Sequence, residues 1–194
     1  MKIIALSALK TWSAALAGLF MILVGSFIPS SIIIPQFDLT SQVIELPSSW
    51  QVPAVLINAI VFGPRPAVVA AVAYIIIGLF YLPVFHGGGS LGYLLVPEFG
   101  YLAGFIPAAW MTGNLIRRKE KNNLIQIIKA AIIGLFIIHL SGVINIFIGT
   151  VFSRWPNGIL DLIYSYSIAP FPSQLILCTA IGLIAKALRI ILVL

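Results

Sequence analysis

The chain has 194 residues, of which 61% are hydrophobic and 8% charged, with a mean hydropathy of +1.13. Soluble domains are about 45–50% apolar and about 25% charged, so this composition cannot cover a globule with polar surface. A soluble enzyme, a disordered tail and an ordinary nucleic-acid binder are excluded, and an integral membrane protein remains. The apolar runs are continuous rather than alternating with period two, which indicates helices and not barrel strands. The formal charge is +6 and the pI about 9.7. In a membrane chain the placement of these charges matters more than their sum, because Lys and Arg set orientation.

A spanning helix needs about 20 mostly apolar residues. The first predicted span covers residues 9–28. Lys2 and Lys10 ahead of it imitate a signal peptide. The run from Thr11 to Ile28 exceeds the apolar core of about 7–15 residues in a cleaved signal, and Ser26-Phe27-Ile28-Pro29 is a poor cleavage site, so the span reads as retained. A polar stretch from Pro35 to Gln51 follows. The second span, 52–62, is short, is opened by Pro53 and stops at Gly63-Pro64-Arg65-Pro66, where two prolines forbid a continuous helix. The third covers 66–82 and ends at Pro83, before the loop His86-Gly87-Gly88-Gly89-Ser90-Leu91-Gly92. The fourth, 97–115, is closed by Arg117-Arg118-Lys119-Glu120-Lys121, and the fifth covers 124–152. After the polar segment Ser153 to Asp161, residues 159–168 suit a short interfacial helix, and Pro170-Phe171-Pro172 opens a sixth span over 173–192.

Charge placement tests this count. With the N-terminus inside, Lys2, Lys10, Arg65, Arg117, Arg118, Lys119, Lys121, Lys129, Lys186 and Arg189 fall on the inner side, and Arg154 alone falls outside. Asp38, Glu45, Glu98 and Asp161 are outside, and Glu120 is inside. That partition follows the positive-inside rule. The expectation is an all-α, multi-pass protein of the plasma membrane: one transmembrane domain over residues 1–194, six helices, both termini cytoplasmic.

No G-x-x-x-x-G-K-[ST] phosphate loop, H-E-x-x-H or G-x-S-x-G motif is present, so neither ATP hydrolysis nor enzyme chemistry is expected. The lone Cys178 sits in an apolar run and reads as a buried small hydrophobe; with no C-x-x-C or Cys/His cluster, neither metal nor cofactor is expected. His139, in the middle of span five, is either a neutral hydrogen-bonded histidine or a substrate or proton site. The loop 83–97 is either a flexible outer turn with an aromatic belt or a lid, its glycines letting backbone approach a ligand. Read as a lid, it makes Phe85, Gly88, Tyr93 and Tyr101 candidate substrate contacts. Glu98 is either an ordinary outer charge or a polar contact to substrate. Gln51, Asn145 and Gln174 lie on separate spans, where each amide satisfies a neighbouring helix or all three converge on a neutral polar head group. Ala14 and Gly18 are four apart on span one, and such spacing lets a second helix approach closely, either of this chain or of another subunit.

The middle of the chain resembles a known family. Gly63-Pro64-Arg65, Tyr74, Gly78, Leu82-Pro83-Val84-Phe85 with Gly87 to Gly89, Pro97, Gly100-Tyr101-Leu102 and Gly104-Phe105 occur in the order seen in the biotin transporter family BioY. Pro47-Ser48-Ser49-Trp50-Gln51 is similar to that family's Pro-x-x-x-Gln opening of span two, and Gly142 to its glycine in span five. The resemblance implies a six-helix substrate-binding S component of an energy-coupling factor transporter. Such a subunit captures biotin from the outer side, while a transmembrane scaffold and cytoplasmic ATPases supply the energy. The small-residue face of span one would then meet the scaffold. Two motifs depart from the family. Gln174 and Leu177 stand where it commonly has an acid and a base, and Glu98 and Phe99 replace Thr and Gly in its Pro-Thr-Gly-Gly-Tyr stretch. The resemblance implies a pocket between spans one, four, five and six, capped by loops 29–50 and 83–97. Gln174, Asn145 and Gln51 would hold the ligand's head, and membrane lipid would surround the bundle.

Overall fold

A computed structural model describes residues 2–35, 41–85, 88–117 and 123–192. Asp38, His86, Gly87 and the basic run Arg118 to Lys121 lie outside the described residues. Helix α1 (Lys2–Phe27) leads into an antiparallel hairpin of β1 (Pro29–Pro35) and β2 (Ser41–Ser49). Then come α2 (Gln51–Phe62), α3 (Pro64–Phe80), a 3-10 turn over Leu91–Leu95, α4 (Phe99–Arg117) and α5 (Leu124–Val151). A short α6 (Ile159–Ile163) passes through a π-helical turn (Tyr164–Ile168) into α7 (Phe171–Ile191). The six expected spans are α1 to α5 and α7. The stretch expected as a separate interfacial helix instead joins α7 in one apolar helical segment, Ile159–Ile191.

The segments Leu6–Phe27, Leu124–Val151 and Ile159–Ile191 are long and apolar enough to cross a bilayer alone. Helix α2 is not: its 12 residues extend about 18 Å against a hydrocarbon core of about 30 Å. Its burial explains how so short a helix persists. Every residue from Pro53 to Val61 is buried, and a helix apolar on all sides belongs inside a bundle. Helix α2 contributes to both hydrophobic clusters, one shared with α1, α3 and α4, the other with α5 and α7.

Small residues set the helix spacings. On α1, Ala15, Gly18, Ile22 and Gly25 form the buried stripe. A Cβ on Gly18 would come within 2.9 Å of Asn58 Nδ2, the atom that donates to the Gly18 carbonyl at 2.8 Å. Gly18 therefore packs on α2 of the same chain. Ala14 is half-buried beside it, while Trp12, Leu16, Phe20 and Val24 face outward. Helices α4 and α5 approach through Gly100 and Gly104: a Cβ on Gly100 would run into Asn145, and one on Gly104 would lie 2.9 Å from Ser141 Cβ.

The Pro35–Gln51 region, read from the sequence as a polar loop, forms the hairpin instead. Its register runs from Pro35↔Ser41 to Ser31↔Glu45 and then shifts before Pro29↔Ser49. The irregularity brackets Pro47, which has no N–H to give a regular ladder. Replacing Gly104 by leucine is expected to overpack the α4–α5 contact by about 1–3 kcal/mol, seen as a lower melting temperature of the detergent-purified chain. Unchanged melting would refute the contact.

Candidate functional site

A cavity of about 510 Å3 opens beneath the hairpin, at the end of the bundle opposite Arg65, Arg117 and Arg189. Its roof is Pro29 and Leu46 to Ser49. Gln51 and Val52 enter from the first turn of α2, Glu98 from just before α4, Tyr101, Leu102 and Phe105 from α4, Ile138 from α5, Ser165 and Tyr166 from the π-helical turn, and Gln174 from α7. The volume lies within the range of about 300–1,000 Å3 typical of small-molecule sites, and the wall is mostly apolar with a few convergent polar groups.

Each amide on the wall has one end already engaged. Gln51 Nε2 donates to Tyr74 Oη at 2.8 Å, and that hydroxyl donates onward to the Val84 carbonyl at 2.8 Å. Tyr74 is fully buried, so the chain of bonds fixes Gln51 from behind the wall. The Oε1 atom of Gln51 is left as an acceptor. Gln174 has the opposite arrangement: its Oε1 lies 2.8 Å from His139 Nε2. An amide oxygen only accepts, so in this arrangement His139 Nε2 carries a proton and donates it, and the Gln174 NH2 group is left as a donor. His139 is thus the hydrogen-bonded histidine of the two sequence readings. It lies edge-on to Phe171 and Tyr101, with ring centroids 5.1 and 5.7 Å away.

Tyr101 crosses α5 at Gly142, where any Cβ would run into its ring, and its hydroxyl reaches Ser167 Oγ at 2.6 Å. Glu98 sits just before the first residue of α4, where the helix dipole favours a carboxylate. Tyr166 interacts with it through its hydroxyl. Glu98 is the single charged side chain on the described wall.

Of the eight residues expected to contact substrate, Gln51, Glu98, Tyr101 and Gln174 line the cavity. Phe85, Gly88, Tyr93 and Asn145 stand elsewhere. Phe85 fills the notch at Gly78 and stacks on Tyr74 and Tyr93, with centroids 5.5 and 4.7 Å away. Burial pushes the Tyr93 hydroxyl pKa up, and the negative charge of Glu98 adds to the shift. Gly88 pairs with Phe85 in an isolated bridge. Asn145 Nδ2 donates to the Pro97 carbonyl at 3.1 Å, clamping the turn before α4. The described part of the glycine loop therefore packs on α3 rather than roofing the cavity; Gly89, against the Gly78 and Leu82 carbonyls, has no space for a side chain. Of the two expected caps, the 29–50 segment covers the site, as the hairpin. Sequence reasoning missed Ser165, Tyr166 and Phe105 on the wall, and the engagement of Gln174 by His139. The pairing of an intramembrane histidine with an amide on another span was the available signal.

Replacing His139 by phenylalanine keeps an aromatic ring but leaves Gln174 Oε1 without its donor. It is expected to weaken small-molecule binding about three- to tenfold, the worth of one neutral hydrogen bond, in a titration of the purified chain. Unchanged affinity would show that His139 does not position Gln174.

Comparisons with known proteins place this architecture. The BioY family profile matches residues 3–192. The chain is 31% identical over 163 residues to an uncharacterized 21.2 kDa protein encoded in the psbX-ycf33 intergenic region of Cyanophora paradoxa, covering 82% of this chain and 85% of that one. It is 42% identical over 94 residues, 48% of each chain, to the probable biotin transporter BioY of Lysinibacillus sphaericus. With the biotin transporter BioY of Thermotoga maritima it shares 35% identity over 101 residues, 50% of this chain and 57% of the other. The alignments with these two transporters thus span about half of each protein. The crystal structure of the S-component for biotin from an ECF-type ABC transporter superposes with a TM-score of 0.72 at 18% identity, covering 94% of this chain and 92% of that one, and so shares the fold. The six-helix bundle is a multi-pass membrane protein, and the chain belongs to the BioY family.

Proposed function

We propose that this chain captures biotin from the outer side of the membrane as the S component of an energy-coupling factor transporter, and that it is not an enzyme. The observation that carries the reading is the pair of oppositely engaged amides facing one 510 Å3 cavity. Biotin's ureido ring has one carbonyl acceptor and two N–H donors. The free NH2 of Gln174 serves the carbonyl, and the free Oε1 of Gln51 serves an N–H. Leu46, Val52, Leu102, Phe105 and Ile138 supply an apolar enclosure for the thiophane ring and valeryl chain. Family membership and the biotin transporters among its relatives support the same ligand.

The departure from the family's acid and base is consistent with this scheme. Gln174 faces the cavity, whereas Leu177 is buried in the protein interior and is not part of the described wall. With no phosphate loop in this sequence, energy comes from partner subunits: a transmembrane scaffold and cytoplasmic ATPases. Helix α1 is the proposed contact for the scaffold. Ser13 and Ala17 are exposed small residues on it, whereas Gly18 is taken up by Asn58 within the chain.

One observation favours a second reading, an S component for a different small molecule. Glu98 places a negative charge on the wall, and biotin carries a carboxylate. Isothermal titration separates the two readings. Heat and a thermal shift with biotin at micromolar concentration are expected; neither signal, with a different molecule found in the natively purified protein, would select the second. Gln174→Ala is expected to weaken biotin binding about tenfold or more by leaving a buried carbonyl unpaired. Glu98→Gln is expected to strengthen it severalfold at neutral pH by removing like-charge repulsion in a partly desolvated site. Weaker binding in Glu98→Gln would mean that the carboxylate itself holds the ligand.

A further inference from the structure

At the basic end of the bundle, α1, α3, α4 and α7 meet around a cleft of about 350 Å3. Arg65 comes from the first turn of α3, Arg117 from the last turn of α4 and Arg189 from the last turn of α7. Thr11 of α1 completes the polar lining. Helix packing brings the three arginines to one cleft. Gly113 of α4 lies so close to α3 that a Cβ would stand 2.6 Å from Pro64 N, and Arg117 follows one turn later on the same face. Arg189 follows one turn after Ala185, which is fully buried.

No carboxylate lines the cleft among the described residues. The one acid that the sequence places on this side, Glu120, is flanked by Arg118, Lys119 and Lys121. Arg189 Nη1 is buried and has no hydrogen-bond partner among the described residues. Arg65 and Arg117 are exposed at the cleft, whereas the buried Arg189 nitrogen is costly to leave without an acceptor. Pro64 and Pro66 leave the first turn of α3 with few N–H donors, and the last turns of α4 and α7 present partial negative charge, so the guanidinium groups alone would hold an anion. The last turns of α2 give one apolar wall, so the cleft is charged on one side and oily on the other.

We propose that this cleft binds the phosphate of an anionic phospholipid headgroup from the cytoplasmic leaflet. Guanidinium forks match phosphate oxygens in geometry, and the positive-inside bias puts this end at the anionic surface of the membrane. The apolar wall takes the start of an acyl chain, which free phosphate does not have.

The test uses the full chain purified in neutral detergent. Phosphatidylglycerol is expected to raise its melting temperature by about 5 °C and to remain bound in native mass spectrometry, with phosphatidylcholine doing neither. The Arg117→Gln/Arg189→Gln double variant is expected to lose the lipid-dependent shift. Arg154→Gln, at the opposite end of the bundle, is expected to keep it. The lipid-dependent shift is read against each variant's own lipid-free baseline, so altered basal stability does not obscure it, and Arg189→Lys is expected to keep part of it. Equal stabilisation by phosphatidylcholine, or a shift that survives in the double variant, would overturn the proposal. An equal shift from millimolar inorganic phosphate would overturn the lipid source and leave a soluble-anion site. No shift from either probe would overturn the proposal.

Discussion

The close approach of α4 and α5 sets the position of the rest of the cavity wall. With glycine at 100 and 104, the α4 backbone rests directly on Ser141 and Asn145. Gly142, on α5, then leaves room for the Tyr101 ring to cross over and reach Ser167. That reach ties the π-helical turn to α4 and brings Tyr166 and Gln174 to the cavity. In lipid, contacts of this kind cannot rely on expulsion of water; they depend on packing and on small residues that let backbones meet.

Polar groups inside the bundle follow a second constraint. Hydrocarbon offers no hydrogen bonds, so polar side chains tend to find partners within the chain. Tyr74 bonds both Gln51 and Val84, His139 bonds Gln174, and Asn145 bonds the turn before α4. The first two arrangements also hold one end of a cavity amide and leave the other end without a hydrogen bond among the described residues. Structural satisfaction and the proposed binding chemistry thus draw on the same network.

Charge divides the molecule into two ends. Glu98 stands at the outer cavity, at the positive end of its own helix. Arg65, Arg117 and Arg189 gather at the inner end, where helix termini converge. The bias that orients the chain in the membrane also concentrates cations at the depth of the cytoplasmic headgroups.

Much of the architecture was legible in the sequence. Length and unbroken apolarity determine the helices, prolines and glycines mark their ends, and Lys and Arg determine orientation; these are local or one-dimensional signals. The ordered motifs from Gly63 to Gly104 determine the family. Gln51, Glu98, Tyr101 and Gln174 were identifiable as polar or aromatic residues near span ends. Tertiary structure decided that, of the two loops expected to cap the cavity, the 29–50 segment does so as a paired hairpin, while the described part of the glycine loop packs on Gly78 instead. It also decided that Asn145 and Phe85 support the wall from behind, and which end of each amide is free. The hydrogen bonds involved join partners 10 to 48 positions apart in the chain, a separation that no periodicity or local motif encodes.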